Sequence, residues 1–244
     1  MGMIETDTTR NVATCCRNGL WRRTRAAWSQ GEGTFFHRVL RRAAQWPCCR
    51  SWLRVSVVEL LHVTLAEHKR FRRIPRTFQV RRAEKGDVAN LVPLFPDAAR
   101  VAERLDRGDV CLLAERGGEP CAGVWLSMGP TTYDEDWQDS GCTYQIPAGA
   151  AWTYDGRGRR MGAWGCLMAH LPSHLEELGA DEVFTSIDLG NHLSTDSHRS
   201  LGYRPIGLVS HVWLLGLARR RMKPLDGTWQ ALPGTLAGLR LADK

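Results

Sequence analysis

The sequence has no apolar run long enough for a transmembrane helix, no C-x-x-C pair and no internal repeat. Its first 20 residues hold neither a continuous apolar core nor a small-residue cleavage site, so they do not read as a secretory signal. With neither anchor nor signal, the expected location is the cytoplasm. Eight cysteines are present, but adjacent ones such as Cys15–Cys16 make poor tetrahedral clamps. Cys111, Cys121 and Cys166 sit in apolar runs, where a reduced thiol behaves as a small hydrophobe. Neither a disulfide framework nor a metal site is expected.

What is present is enough for one good-sized core and an appendage: 244 residues, 43% of them hydrophobic. The net charge of +7 is unevenly spread. Residues 1–82 carry 17 Lys and Arg against 5 Asp and Glu, while residues 83–244 carry 16 against 21. A basic arm thus precedes a mildly acidic body. Such an arm suits an anionic surface, nucleic acid or lipid, or else a solvated helical face.

Composition divides the chain into a basic N-terminal extension (1–76), a regular domain (77–217) and a C-terminal tail (218–244) that packs on the surface or frays. In the extension, apolar residues recur at helical spacing over 20–28 and 36–43, and Leu53–Leu65 reads as a strand or a buried helix. The run His68–Arg76 reads as a linker. In the domain, strands are expected at 77–82, 110–115, 121–127, 150–155 and 182–187, with one or two more over 204–215. A short helix capped by Asp87 is followed by amphipathic helices over Asp97–Arg107, from Ala163 to Gly179 with a kink at Pro172, and over Ser194–Leu201. Residues 129–148 read as a long loop with acidic residues Asp134, Glu135, Asp136 and Asp139, able to attract a cationic amine or simply be solvated. Alternating strands and helices predict an α/β fold.

The chemistry concentrates at Ala150–Leu171, where a strand runs through a Gly/Arg turn directly into a helix. Unpaired N–H groups and the helix dipole at Met161–Gly165 suit a pyrophosphate. Gly162 and Gly165 allow close approach, and Arg157, Arg159 and Arg160 supply countercharge. Similar turns also cap helices that bind nothing.

Two motifs in order raise the specificity. Arg159-Arg160-Met161-Gly162-Ala163-Trp164 matches the loop Arg/Gln-x-x-Gly-x-Gly/Ala except at its last position, and an apolar helix follows. Further on, Asn191, Ser194, His198, Gly202 and Tyr203 stand at the offsets of a second motif. From about residue 78 to 216 the chain resembles the GNAT superfamily of N-acyltransferases. That resemblance implies a mixed, mostly antiparallel β-sheet flanked by helices, here with a basic helical or strand extension. It implies acetyl-CoA or another acyl-CoA as co-substrate and a primary amine, on a small molecule or a protein, as acceptor. Arg157, Arg159, Arg160, Met161, Gly162, Ala163, Trp164, Gly165, Asn191 and Ser194 would hold the cofactor. His198 takes the place of the tyrosine that supports the leaving thiolate, and Asp155 is the candidate base, with pairing to Arg157 or Arg159 as its other role. Two departures stand out. Only four positions separate Asp155 from Arg159, and Trp164 replaces a small residue, so the alternative is a GNAT-fold module that binds acyl-CoA or a partner without turnover.

Overall fold

The structure, a computed structural model, describes residues 53–68, 77–135, 142–215 and 217–225, with a few positions between 39 and 46 and strand pieces at 230–231 and 239–240. The helical stretches of the basic arm, the linker His68–Arg76 beyond its first residue and the anionic contact expected of the arm lie almost wholly outside the described residues. The chain forms two compact units, residues 1–56 with 212–218 and residues 57–211 with 219–244. In the smaller unit the Arg54 guanidinium carbon lies 5.7 Å from the centre of the Trp213 ring, a cation–π contact. The candidate site described below lies within the larger unit.

Strands β1 (Leu53–Thr64), β2 (Gln79–Arg82), β3 (Val110–Arg116), β4 (Glu119–Met128), β7 (Ala150–Gly158), β8 (Glu182–Asp188), β9 (Arg204–Leu214), β10 (Leu217–Pro224) and β11 (Gln230–Ala231) make one sheet, ordered β11-β10-β9-β1-β8-β7-β4-β3-β2. Strands β5 (Thr131–Asp134), β6 (Thr143–Ile146) and β12 (Leu239–Arg240) make a second, small sheet. The helices are α1 (Val88–Leu91), α2 (Ala98–Arg107), α3 (Ala163–Glu177) and α4 (His192–Ser200). This is the expected mixed α/β fold, mostly antiparallel and flanked by helices. One pair in the centre of the main sheet, β7 with β8, is parallel.

The central strands of the main sheet are buried on both faces. Ala122, Val124, Ala151, Val183 and Ile187 lie on one face with Leu167, Met168 and Leu171 of α3. Leu113, Trp125, Trp152 and Phe184 lie on the other with Leu91 of α1 and Val101 and Leu105 of α2. Helix α2 begins and ends as its sequence dictates: the Asp97 carboxylate accepts from the Arg100 N–H, and Gly108 closes it at a φ of 94°. Helix α3 runs through Pro172.

Three sequence expectations change. The division at residue 76 cuts through the sheet, because Val58–Thr64 of β1 pairs antiparallel with Asp188–Glu182 of β8. Val57, Val58, Leu60, Leu61 and Val63 are all buried. A strand covered on both faces shows a nearly continuous apolar run, which is why periodicity left strand and helix open. The long loop expected over 129–148 contains the hairpin β5–β6. The tail expected from 218 supplies most of β10, together with β11 and β12. Among the described residues no helix is long and apolar enough to cross a membrane.

Candidate functional site

Strands β7 and β8 run parallel and pair only from Ala150–Glu182 to Thr153–Thr185. Beyond that point β7 stays with β4 on its outer side, through a register shift between Gly123 and Trp125, and continues to Gly158. Strand β8 stays with β1. The two strands therefore part, and a cleft of about 710 Å³ opens between them. Backbone groups on the two inner edges have no strand to pair with, and such groups demand a partner.

The bulge centres on Asp155, which adopts a φ of 47°. Aspartate tolerates this region better than most residues. Its carboxylate is also held on both sides: Arg104 Nη1 donates to Oδ2 at 2.8 Å and Arg157 Nε donates to Oδ1 at 2.9 Å. Arg104 is itself buried, and its guanidinium carbon lies 5.1 Å from the Trp125 ring centre and 4.8 Å from that of Tyr154. Burial alone would raise the Asp155 pKa, but the two arginines outweigh it and hold the carboxyl below its usual range. The reading of Asp155 as the base gives way to its other role. It is an arginine-braced bulge residue, a weakened base that lines the cleft.

Across the cleft stands α4. Asn191 caps it, its side-chain oxygen accepting from the Ser194 N–H at 3.2 Å. Asn191, Ser194, Ser197 and His198 all line the cleft. His198 is 5% exposed, so it is not a solvent-facing helix residue. Its Nδ1 lies 2.8 Å from the Ser194 carbonyl oxygen. A carbonyl only accepts, so Nδ1 carries the proton and the Nε2 lone pair remains. Burial lowers the His198 pKa against the opposing pull of the Ser194 carbonyl, and the ring is neutral at neutral pH. The resting ring is thus an acceptor at Nε2 and can donate from there only after it has taken up a proton. Tyr203 meets His198 edge-on, with ring centres 5.0 Å apart. Its buried hydroxyl has no hydrogen-bond partner among the described residues.

The expected phosphate loop is short. Strand β7 ends at Gly158, and Gly162 at a φ of 82° opens α3 with no side-chain cap. The loop arginines divide. Arg157 is tied to Asp155 and Arg160 to Glu119 at 2.6 Å. Arg159 is exposed, and among the described residues no side-chain hydrogen bond or ion pair engages it. Met161 is fully exposed, Gly162 is exposed and Gly165 is half-buried. Ala163 is buried in the core beneath α3, and its N–H already donates to the Arg160 carbonyl at 3.2 Å. That N–H is therefore not available to a pyrophosphate.

Trp164 decides how loop and cleft relate. Its indole lies against Gly156, where an added Cβ would fall 2.6 Å from the ring. Its Nε1–H donates to Ser197 Oγ at 3.3 Å. The ring thus spans from β7 to α4, and none of residues 159–163 lines the cleft. The indole thus narrows the cleft.

Several lining residues were not singled out in the sequence: Val58, Thr185, Ser186, Ser197 and Asp188. The polar pair Thr185–Ser186 between the apolar Val183–Phe184 and Ile187 was the available signal. Among the described residues no three His, Cys, Asp or Glu side chains converge as a metal site.

No family model matches the chain, and no curated protein matches it. Solved structures do. A Drosophila protein is 16% identical over 72% of this chain and 57% of its own, with a TM-score of 0.47. A conserved protein of unknown function from Staphylococcus epidermidis is 12% identical over 77% and 69%, at 0.48. A GCN5-related N-acetyltransferase from Kribbella flavida is 17% identical over 70% and 63%, at 0.46. The match spans less than two thirds of the Drosophila and Kribbella chains. At this level of likeness no chemistry is transferred from them. The glycine loop follows strand β7 and opens helix α3, the arrangement that the sequence resemblance to the GNAT superfamily implies.

Proposed function

We propose that this protein transfers an acyl group from an acyl-CoA, acetyl-CoA in the first instance, to a primary amine in the cytoplasm. The observation that carries the reading is the parting of β7 and β8 beyond Thr153 and Thr185. The inner edges of the two strands match an extended ligand bearing amides, as pantetheine does, in the way a peptide adds to a sheet edge. Arg159 and the N–H groups of Trp164 and Gly165 suit the phosphates. An acyl-CoA supplies a thioester carbonyl, and the protein's task is proton management around it.

His198 suits the sulfur side. Neutral, with its lone pair at Nε2, it accepts the proton that the amine nitrogen still carries after bonding to carbon. It then delivers that proton to the departing sulfur. A ring held neutral by burial is ready for this order of events, whereas a permanently charged one is not.

The second reading, a binding module without turnover, is favoured by one observation: the Trp164 indole crosses the groove between Gly156 and Ser197. Calorimetry with acetyl-CoA, paired with a thiol-release assay on spermidine, glucosamine and a lysine peptide, separates the two. Binding with release supports the transferase, binding without release supports the module, and no binding sinks both. Gly162→Asp places a carboxylate and a strained residue at the loop and is expected to abolish binding.

A further inference from the structure

The acceptor must lose a proton before it attacks, since an aliphatic amine of pKa about 10 enters as ammonium. Asp155 is held by two guanidinium groups, and His198 stands on the sulfur side. Asp188 lines the cleft as well, with one carboxylate oxygen accepting from the Gly190 N–H at 2.7 Å. One further group reaches the cleft. Ser186 lines it, on the strand face opposite to Thr185, because neighbouring residues of a strand point to opposite sides. Its hydroxyl is hydrogen-bonded to Oε1 of Glu135, a buried carboxylate at the end of β5. The Tyr144 hydroxyl of β6 donates to Oε2 of the same carboxylate at 3.1 Å. Tyr144 is fully buried and stacks on Trp152 of β7, ring centres 4.3 Å apart. The second sheet thus carries a carboxylate into the main sheet and seats it behind a cleft-lining serine.

Resting on the acyltransferase reading, we propose that Ser186 and Glu135 form the proton exit for the acceptor amine. The ammonium N–H proton passes to Ser186 Oγ as the Ser186 hydroxyl proton passes to Glu135 Oε1. The nitrogen keeps the electron pair of the broken N–H bond and is then free to bond to the acyl carbon. Glu135 later returns its proton to solvent. The cleft runs through the sheet between the parted strands, so the two proton tasks stand on opposite faces: nitrogen at Ser186, sulfur at His198. Ser186 would touch the amine and Glu135 would act through it, as a positioning and proton-holding residue. The hairpin β5–β6 then has a function beyond covering the aromatic face of β7.

The test is the pH dependence of thiol release with acetyl-CoA and spermidine in wild type, Glu135→Gln and Ser186→Ala. Wild-type turnover is expected to level off near neutrality. Both variants should lose on the order of 10²-fold in kcat at pH 7. Their rates should then climb about tenfold per pH unit towards the pKa of the amine, because only amine already neutral in solution reacts. Acetyl-CoA affinity should stay within about twofold. Tyr144→Phe, which removes one donor to the carboxylate and leaves the relay, should move the acid limb upward but show no climb towards the pKa of the amine. A uniform loss at every pH, or an unchanged profile in either variant, overturns the relay. If Glu135→Gln does not fold, Ser186→Ala decides alone. Wild-type protein that releases no thiol with any of the three amines sinks the transferase reading itself, and the relay with it.

Discussion

Trp164 and Gly156 are in contact across the mouth of the cleft: a methyl group on Gly156 would lie 2.6 Å from the indole. The contact needs both residues, since a β-carbon on the strand would push the ring off and a small residue on the helix would leave the groove open. Removing the ring by Trp164→Ala is expected to tighten acetyl-CoA binding about tenfold. That figure corresponds to about 1.4 kcal/mol, close to the net hydrogen bond of about 1 kcal/mol that the indole now makes and must lose. Calorimetry on the variant measures it. Weaker binding would mean that the indole belongs to the bound site instead of blocking it.

His198→Ala should lower turnover on the order of 10²-fold while leaving acetyl-CoA affinity nearly unchanged, because the proton shuttle matters only during bond exchange. The acid limb of the wild-type profile should fall below the ordinary histidine value of about 6.5, as burial lowers the ring pKa. Activity is therefore full at neutral pH and lost as pH falls through the folded-state value. A wild-type limb centred above 6.5 would contradict the neutral, buried ring. Stability follows the same sign. His174 is lowered as well, mainly by its burial. Both rings bind protons more readily unfolded than folded, so stability declines as pH drops below about 6.5.

Arg104→Met is expected to cost about 3 kcal/mol of stability, at the low end for breaking a buried ion pair because Arg157 still engages Asp155. The brace shapes the bulge, so the same variant should also weaken acetyl-CoA binding. Chemical denaturation and calorimetry together check this. Wild-type stability in Arg104→Met would show the brace to be dispensable.

A chain beginning near Pro75 is expected not to fold. It lacks Leu60, Leu61 and Val63, all fully buried in the sheet. Losing even two or three such side chains, at about 2–5 kcal/mol each, uses up the 5–15 kcal/mol that stabilises a typical domain. A chain beginning before Leu53 keeps the whole strand. Circular dichroism and thermal melting distinguish the two, and a cooperative melt of the shorter chain would refute the prediction.

The sequence by itself determined the local elements. Asp97 and Gly108 mark the ends of α2, Gly162 marks the start of α3, and Asn191 marks the start of α4, because capping and left-handed conformations depend on a few adjacent residues. The alternating strands were legible for the same reason. Tertiary structure alone decided the rest. Whether Leu53–Leu65 was a strand depended on β8, more than 100 positions away, because an apolar run is neutral between strand and helix until a partner edge is present. Asp155 paired with Arg104, 51 positions away, as well as with its neighbour Arg157, and that distant guanidinium turned a candidate base into a brace. Glu135, one of a run of acidic residues, became a buried carboxylate against Ser186 only when β5 and β6 folded over the sheet. The placement of Trp164 likewise depended on β7 and α4 meeting it from two sides. Charge and burial are properties of what surrounds a side chain, and here those surroundings come from distant segments of the chain.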